Sequence, residues 1–400
     1  MPLNFPSNPT NGQVYDRFFW DASAGIWRTS GPIGPTGPTG PSVTGPTGPT
    51  GPTGLNTSFS SPQAGDSLVY NGTNWVNSLR SNNAIINGNF DIYQRGTSFS
   101  ITSSGTWVAD RWQNGFDGTG STRNSSRQSF AVNELNVPGY GEPQFYLRYQ
   151  QTVAGSGGTF NNIGQYIEDV RTFANQTVTI SFWAKAAAAT TRTITYGQVF
   201  GAGGSSASYF NGGTFNLTTS WQRFSATTQT PSLAGKTIGS NSYFGVFFDF
   251  PINSTFTIDL WGVQLEAGPV ASPFRPAGGG SRAAELVLCQ RYYWRNSDSS
   301  ASFLNHLQGS SNTATVGECR TVLPTSMRVA PYSVEWGNLE VMDSSFAAVP
   351  VTGITLQPLQ TSTSVVMISY NNSGSLTTNR PVTIRNSNNS AGFFAVTAEI

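Results

Sequence analysis

The stretch Phe256-Thr257-Ile258-Asp259-Leu260-Trp261-Gly262-Val263-Gln264-Leu265 decides the fold class. Phe256, Ile258 and Leu260 alternate with Thr257 and Asp259, the period of two by which a strand buries one face. After Leu260 the apolar phase switches to Trp261, Val263 and Leu265, which predicts a β-bulge. The same alternation recurs upstream. Val178, Ile180, Phe182 and Ala184 oppose Thr177, Thr179, Ser181 and Trp183; Phe244, Val246, Phe248 and Phe250 oppose Tyr243, Gly245, Phe247 and Asp249. Gly/Asn/Ser turns separate these runs and no long helical period interrupts them. Roughly eight such strands over residues 84–277 predict a two-sheet sandwich of jelly-roll type.

Downstream, Gly278-Gly279-Gly280 reads as a hinge, followed by a short helix with Ser281 as N-cap, together spanning 278–295. Residues 296–400 return to short strands. Val365, Met367 and Ser369 alternate with Val366, Ile368 and Tyr370, and Asn371-Asn372-Ser373-Gly374 is a turn. This predicts a smaller C-terminal β domain, and the chain as a whole is expected to be all-β.

Upstream the pattern has a period of three. Gly31, Gly34, Gly37 and Gly40 each precede proline; after a break at Val43-Thr44 the triplets resume at Gly45, Gly48 and Gly51 and end at Gly54. Glycine at every third place is the collagen pattern, because only glycine fits where three polyproline II strands meet, so residues 31–54 predict a homotrimeric rod of roughly 70 Å. The break slips the phase once and should kink or loosen it. A flexible Gly/Pro linker is the competing reading. Residues 1–30 (with Tyr15, Trp20 and Trp27) and 55–83 (with Val69, Tyr70 and Trp75) each read as a small hairpin. The Asn71-Gly72 turn is a strong signal for one of them. A lone hairpin is marginal in water, so both are expected to act as trimerising clips, the first also anchoring the chain to a larger assembly.

Composition excludes several classes. Charged residues are 10% of the 400, net charge is +1, and Lys185 and Lys236 are the only lysines; no electrostatic footprint for nucleic acid exists. No apolar run approaches the ~20 residues of a membrane helix, and Met1–Pro6 shows no secretory leader. One histidine and two cysteines leave little for zinc. His306, in Asn305-His306-Leu307, reads as a surface polar group. Cys289 and Cys319 could be bridged, but a protein assembled in reducing cytosol favours two buried thiols.

Asn87-Gly88-Asn89-Phe90-Asp91-Ile92-Tyr93-Gln94-Arg95-Gly96, with Ala109-Asp110-Arg111-Trp112, Ser181–Lys185 and Asp259–Gly268, resembles the carbohydrate-binding-module-like domain of bacteriophage tail fibres. Leu288-Cys289-Gln290-Arg291-Tyr292-Tyr293 is similar to the segment that commonly follows it. The resemblance spans roughly residues 84–295. It implies a jelly roll, a homotrimeric fibre in the virion and attachment to the host surface. The family often holds a structural calcium, which would fall on Asn87, Asp91 and Asp259; the competing reading has Asp91 and Asp259 satisfying turn amides. No other cofactor is expected.

A sugar platform needs aromatic faces and a few fixed polar groups. Tyr146, Arg148, Trp183 and Asp249 point away from the apolar face of their strands, and if those strands share a sheet they form one exposed glycan-binding surface. Packing under a loop or in a trimer contact is the alternative. Trp112 reads as core. Glycosidase chemistry needs two facing carboxylates ~5–9.5 Å apart. Glu168-Asp169 would point to opposite faces, and Glu142, Asp249 and Glu318 have no identifiable partner, so no enzyme activity is expected.

The expectation is therefore a homotrimeric phage tail fibre. Residues 1–30 would grip a tail or baseplate protein, and the C-terminal domains would bind a host glycan, without membrane insertion. A head fibre fits equally. The rivals are a collagen-like glycoprotein of a spore or cell coat and a depolymerase tailspike.

Overall fold

The computed structural model describes residues 5–15, 18–29, 57–58, 67–70, 75–78 and 83–400. The Gly-Pro triplets of 31–54 lie outside the described residues, as does the connection after Tyr70.

The N-terminal unit is a meander of β1 (Val14–Tyr15), β2 (Phe18–Asp21) and β3 (Ile26–Thr29). Within one copy the Trp27 ring stacks on Phe5 at 5.1 Å between centroids and meets Trp20 at 5.6 Å. Beyond the triplets, β4 (Thr57–Ser58), β5 (Ser67–Tyr70) and β6 (Trp75–Ser78) form a second three-stranded sheet. In it β5 and β6 pair antiparallel with Tyr70 opposite Trp75, and β4 runs parallel to β6.

Eleven strands, rather than eight, build the sandwich: β7 (Ser98–Ile101), β8 (Gln113–Phe116), β9 (Thr122–Ser129), β10 (Phe145–Val153), β11 (Asn161–Glu168), β12 (Thr177–Ala186), β13 (Thr190–Val199), β14 (Ser208–Leu217), β15 (Gln222–Gln229), β16 (Tyr243–Asp249) and β17 (Phe256–Ala267). The order β15-β12-β17-β10-β9-β7 makes a six-stranded sheet and β14-β13-β16-β11-β8 a five-stranded one. The inner faces meet in one core, from Leu147 and Tyr149 through Ile180, Phe182, Tyr196, Phe244 and Phe248 to Leu260 and Leu265, with Trp112 fully buried in it.

The bulge stands where the apolar phase switches. β12 and β17 pair Trp183 with Trp261 but Ser181 with Gln264, so Phe182 faces an extra residue. Gly262 takes φ 64° there, a left-handed conformation that glycine adopts without a Cβ penalty. Trp261 differs from expectation: it packs outside the sandwich core, and the inward set resumes with Val263 and Leu265.

Helix α1 (Arg282–Gln290) starts as predicted, with Ser281 Oγ accepting from the Ala284 amide at 3.4 Å. The glycine hinge does not behave as one. Buried Glu285 accepts the Gly278 amide and, from the jelly roll, the Asn87 amide, so the turn is pinned on both sides.

The last hundred residues hold β18 (Tyr293–Asn296), β19 (Asn305–Ser311), β20 (Val316–Val322), β21 (Ser333–Gly337), β22 (Leu339–Asp343), β23 (Ala348–Leu356), β24 (Val365–Asn372), β25 (Pro381–Asn386) and β26 (Phe393–Thr397). Six close a barrel in the order β19-β20-β24-β23-β22-β25, and β18-β26-β21 form a separate sheet. His306 corrects the sequence reading. It sits at a register shift between β19 and β25, is only 5% exposed, and its Nε2 meets Asn386 Oδ1 at 2.6 Å. Cys289 and Cys319 are unbridged, buried thiols in the helix and the barrel.

Candidate functional site

The structure separates the four platform residues. Tyr146, Arg148 and Trp183 stand together on the outer face of the six-stranded sheet, but Asp249 is on β16 of the other sheet. The reason is pairing. β16 joins β11 and β13, which strand-by-strand alternation cannot reveal.

Tyr146 and Trp183 are covered, and Arg148 is tied down. A loop bearing Val137 and Tyr140 and a second bearing Phe274 pack over Tyr146, Trp183 and Trp261 as a second small core. Trp183 is 6% exposed and lies against Gly262, while Arg148 is locked to Asp259 through Nε at 2.8 Å and Nη2 at 2.9 Å. Neither the Tyr146 ring nor the Trp183 ring is left open for a sugar there.

The same bonds bear on the calcium candidates. Both Asp259 oxygens take Arg148, Asn87 Oδ1 takes the Ile92 amide, and Asn87 Nδ2 is spent on the Ile92 and Asp110 carbonyls. Asp91 is held by Asn89 Nδ2 at 2.7 Å. Calcium wants six to eight oxygens, and this set does not fit it. Among the described residues no cluster of three or more His, Cys, Asp or Glu is placed to hold a metal.

The tail-fibre-like motifs also converge, at the junction of the sandwich with the C-terminal domain. Arg95 lies over the Tyr293 ring at 3.5 Å and Arg111 over Tyr292 at 3.4 Å. Gln94 bonds Asp110 and the Tyr293 carbonyl, and both arginines reach Glu399. These residues hold two domains together rather than face a ligand.

The open aromatic surface is on the five-stranded sheet, where Asp249 sits. A groove of about 500 Å³ runs over its outer face. The register aligns Gly115 with Asn162, Gly164 with Phe247 and Gly197 with Gly245 on neighbouring strands. Glycine weakens a strand, so glycines repeated across one face mark something approaching closely. Here it is aromatic rings. The Phe247 ring passes within 2.5 Å of where a Cβ of Gly164 or Gly245 would stand, and the Tyr209 ring within 2.9 Å of that of Gly197. Both rings therefore lie down on the sheet instead of standing on it and turn a face outward. Tyr209 is 60% exposed. Tyr243 and Phe160 extend the aromatic surface.

Polar groups frame the rings. Thr193 and Thr195 hydroxyls both donate to Asp249 Oδ2, at 3.0 and 2.6 Å, leaving Oδ1 without a hydrogen bond from a described side chain. Burial raises the Asp249 carboxyl above its usual range against the two hydroxyl bonds. Tyr166 donates to Gln113 Oε1 at 2.5 Å, and Asn162 adds an amide. Burial pushes the Tyr243 phenol up to about 12, so it remains a neutral donor. Asp249 is the sole carboxylate among the lining residues. Sequence reasoning reached Asp249 but missed Tyr209, Phe247 and Tyr243; the signal was glycine at the alternate positions 164, 197 and 245.

No protein-family model and no curated protein matches the chain. Among solved structures, the family 11 carbohydrate-binding module of the cellulase Lic26A-Cel5E of Clostridium thermocellum is similar over 42% of this chain and 95% of its own, with 11% identity and a TM-score of 0.28. The CBM22-1 xylan-binding domain of Paenibacillus barcinonensis Xyn10C matches over 46% and 94%, with 10% identity and 0.27. The enzymatically active domain of bacteriophage CBA120 tailspike protein 4 matches over 46% of this chain but 21% of its own, with 16% identity and 0.28. These likenesses bring neither ligand nor activity to this chain.

Proposed function

We propose that the chain is a homotrimeric bacteriophage tail fibre, and that each copy holds a neutral glycan of the host surface along the groove of the five-stranded sheet. The observation that carries the binding reading is the pair of rings, Phe247 and Tyr209, laid flat over glycines. A flat, solvent-facing ring offers its face to the C–H side of a pyranose, while Asp249 Oδ1, Asn162 and the tyrosine hydroxyls fix the hydroxyl pattern. The low charge of the chain suits neutral sugar. The fibre reading rests on the motifs Asn87–Gly96 and Leu288–Tyr293 and on the Gly-Pro triplets.

The proposed mechanism is binding by number. Three copies tied by one rod raise the local concentration of each site for a multivalent surface, so weak single contacts sum to firm attachment. A single carboxylate in the groove lacks the facing partner that glycoside hydrolysis needs, and binding without cleavage is the proposed outcome.

The test is a glycan array and host cell-wall polysaccharide probed with the full chain and with Tyr209→Ala/Phe247→Ala. Retention by the native protein, lost in the double variant without release of soluble oligosaccharide, is expected. Equal retention by both would remove the groove, soluble fragments would remove the non-cleaving reading, and a monomer by sedimentation would remove the trimer.

A further inference from the structure

The sandwich has a second opening, at an end rather than on a face. It lies where β10 finishes, the turn from β12 to β13 passes, and the chain crosses from β16 to β17. The cavity is about 660 Å³. It is lined by Ala186-Ala187-Ala188-Ala189, of which Ala186 is buried and the other three are exposed, by Phe256 and Pro251, and by Thr190 and Ser254.

Two donors in it have no acceptor. Gln151 ends the inward series Leu147, Tyr149, Gln151 on β10 and is 1% exposed. Its Oε1 is reached by Asn161 Nδ2 at 3.4 Å, but its Nε2 has no partner. Arg192 begins the inward series continued by Ile194 and Tyr196 on β13, and its Nε is likewise buried without a partner. Arg192 makes no ion pair with any described residue. The charge felt there is that of Asp249, whose Oδ2 is held by the Thr193 and Thr195 hydroxyls. No carboxylate lines the cavity. Buried donors are ordinarily paired, and exceptions ask for a cause.

We propose that this cavity is a second saccharide site, separate from the groove, that takes the carboxylate of a uronic-acid residue. The Arg192 guanidinium and Gln151 Nε2 donate to the carboxylate, and Phe256 with the lining alanines receives the apolar side of the ring. A guanidinium fork matches a planar carboxylate in two parallel bonds. The charge count also selects it: one cation neutralises one carboxylate, whereas a phosphate dianion would keep an uncompensated charge in a half-enclosed site with no second cation.

The test is calorimetric titration of the full chain with glucuronate, galacturonate and mannuronate, with glucose and glucose 6-phosphate as comparisons. At least one uronate is expected to bind at least tenfold more tightly than glucose and more tightly than glucose 6-phosphate, and to weaken with added salt. Arg192→Gln and, separately, Gln151→Met should each lower that affinity several-fold while melting like the native protein, and Tyr209→Ala should leave it unchanged. The proposal falls if none of the uronates binds, if either cavity variant binds as the native chain does, or if the phosphate ester binds more tightly. Loss in Tyr209→Ala would place the uronate in the groove and also overturn it. Because the groove and cavity variants are distinct, neutral-glycan binding can fail or hold independently.

Discussion

Arg111 of the jelly roll donates a hydrogen bond to the carboxylate of Glu399, 288 residues further on, and both side chains are 1% exposed. Arg111 reaches it from φ 71°, a left-handed conformation that costs a non-glycine residue of order 1–3 kcal/mol. The same guanidinium lies over Tyr292 and donates to the Tyr166 carbonyl. Removing one partner leaves an uncompensated buried charge. Glu399→Ala is therefore expected to lose about 3–5 kcal/mol in denaturant unfolding. Adding Arg111→Met should recover part of that loss; no recovery would mean the ion pair is not what holds the junction.

The glycine floor makes a prediction about shape. Gly245→Ala places a methyl 2.5 Å from the Phe247 ring, so the ring must tip off the sheet. Glycan retention should drop at least tenfold. Tyr209→Ala should drop it comparably with stability changed by less than about 0.5 kcal/mol, since that ring is mostly in water. Retention unchanged in both variants would detach binding from the rings.

Asp91 sets a pH dependence. Burial raises its carboxyl to about 6, against Arg282 and Arg127, which lower it. The folded state thus binds a proton more readily than the unfolded state, and this contribution to stability falls as pH rises from about 4 to about 6. Two units at ~1.36 kcal/mol set a ceiling near ~3 kcal/mol, which partial contact with water reduces. Asp91→Asn should be more stable than the native protein above pH 6 and show a flatter profile in thermal melts; an unchanged slope between pH 4 and 6 would refute it.

Thiol chemistry offers a further check. Burial pushes Cys319 up to about 12 and Cys289 well above the ordinary thiol range. The thiolate is the reactive form, so Ellman's reagent at pH 8 should find no reactive thiol in the folded protein and two after guanidinium. Early reaction of Cys289 would show that the helix after the glycine turn opens.

Strand existence was legible because alternation is local. The residues 178–186 and 243–250 face as their periodicity says, and the bulge at Gly262 shows as a slip in the apolar phase. What alternation cannot carry is which strand neighbours which. Tyr146 and Asp249 both point outward, yet long crossovers put them on opposite sheets. The cover over Trp183 was hidden for a related reason: Val137, Tyr140 and Phe274 come from loops, where no period marks a buried side chain. His306 was misjudged because a polar dipeptide step reads as surface, while the register shift beside it turns the imidazole toward Asn386. The motifs Asn87–Gly96 and Leu288–Tyr293 were visible as motifs, but that their arginines and tyrosines clasp one another emerges only in three dimensions.

The extra residue at Gly262 lets one strand serve two clients. Up to Leu260 its odd-numbered positions face outward; past the slip, Val263 and Leu265 keep the interior supplied while Trp261 has been handed to the outer cluster. Deleting Gly262 would set Val263 alone opposite Phe182 and leave every later side chain on its present face, whereas a side chain added at 262 would come within 2.8 Å of the Trp183 ring. With a left-handed φ of 64° adding strain to that clash, the position is closed to bulk rather than to shortening, and the outer cluster is what keeps it a glycine.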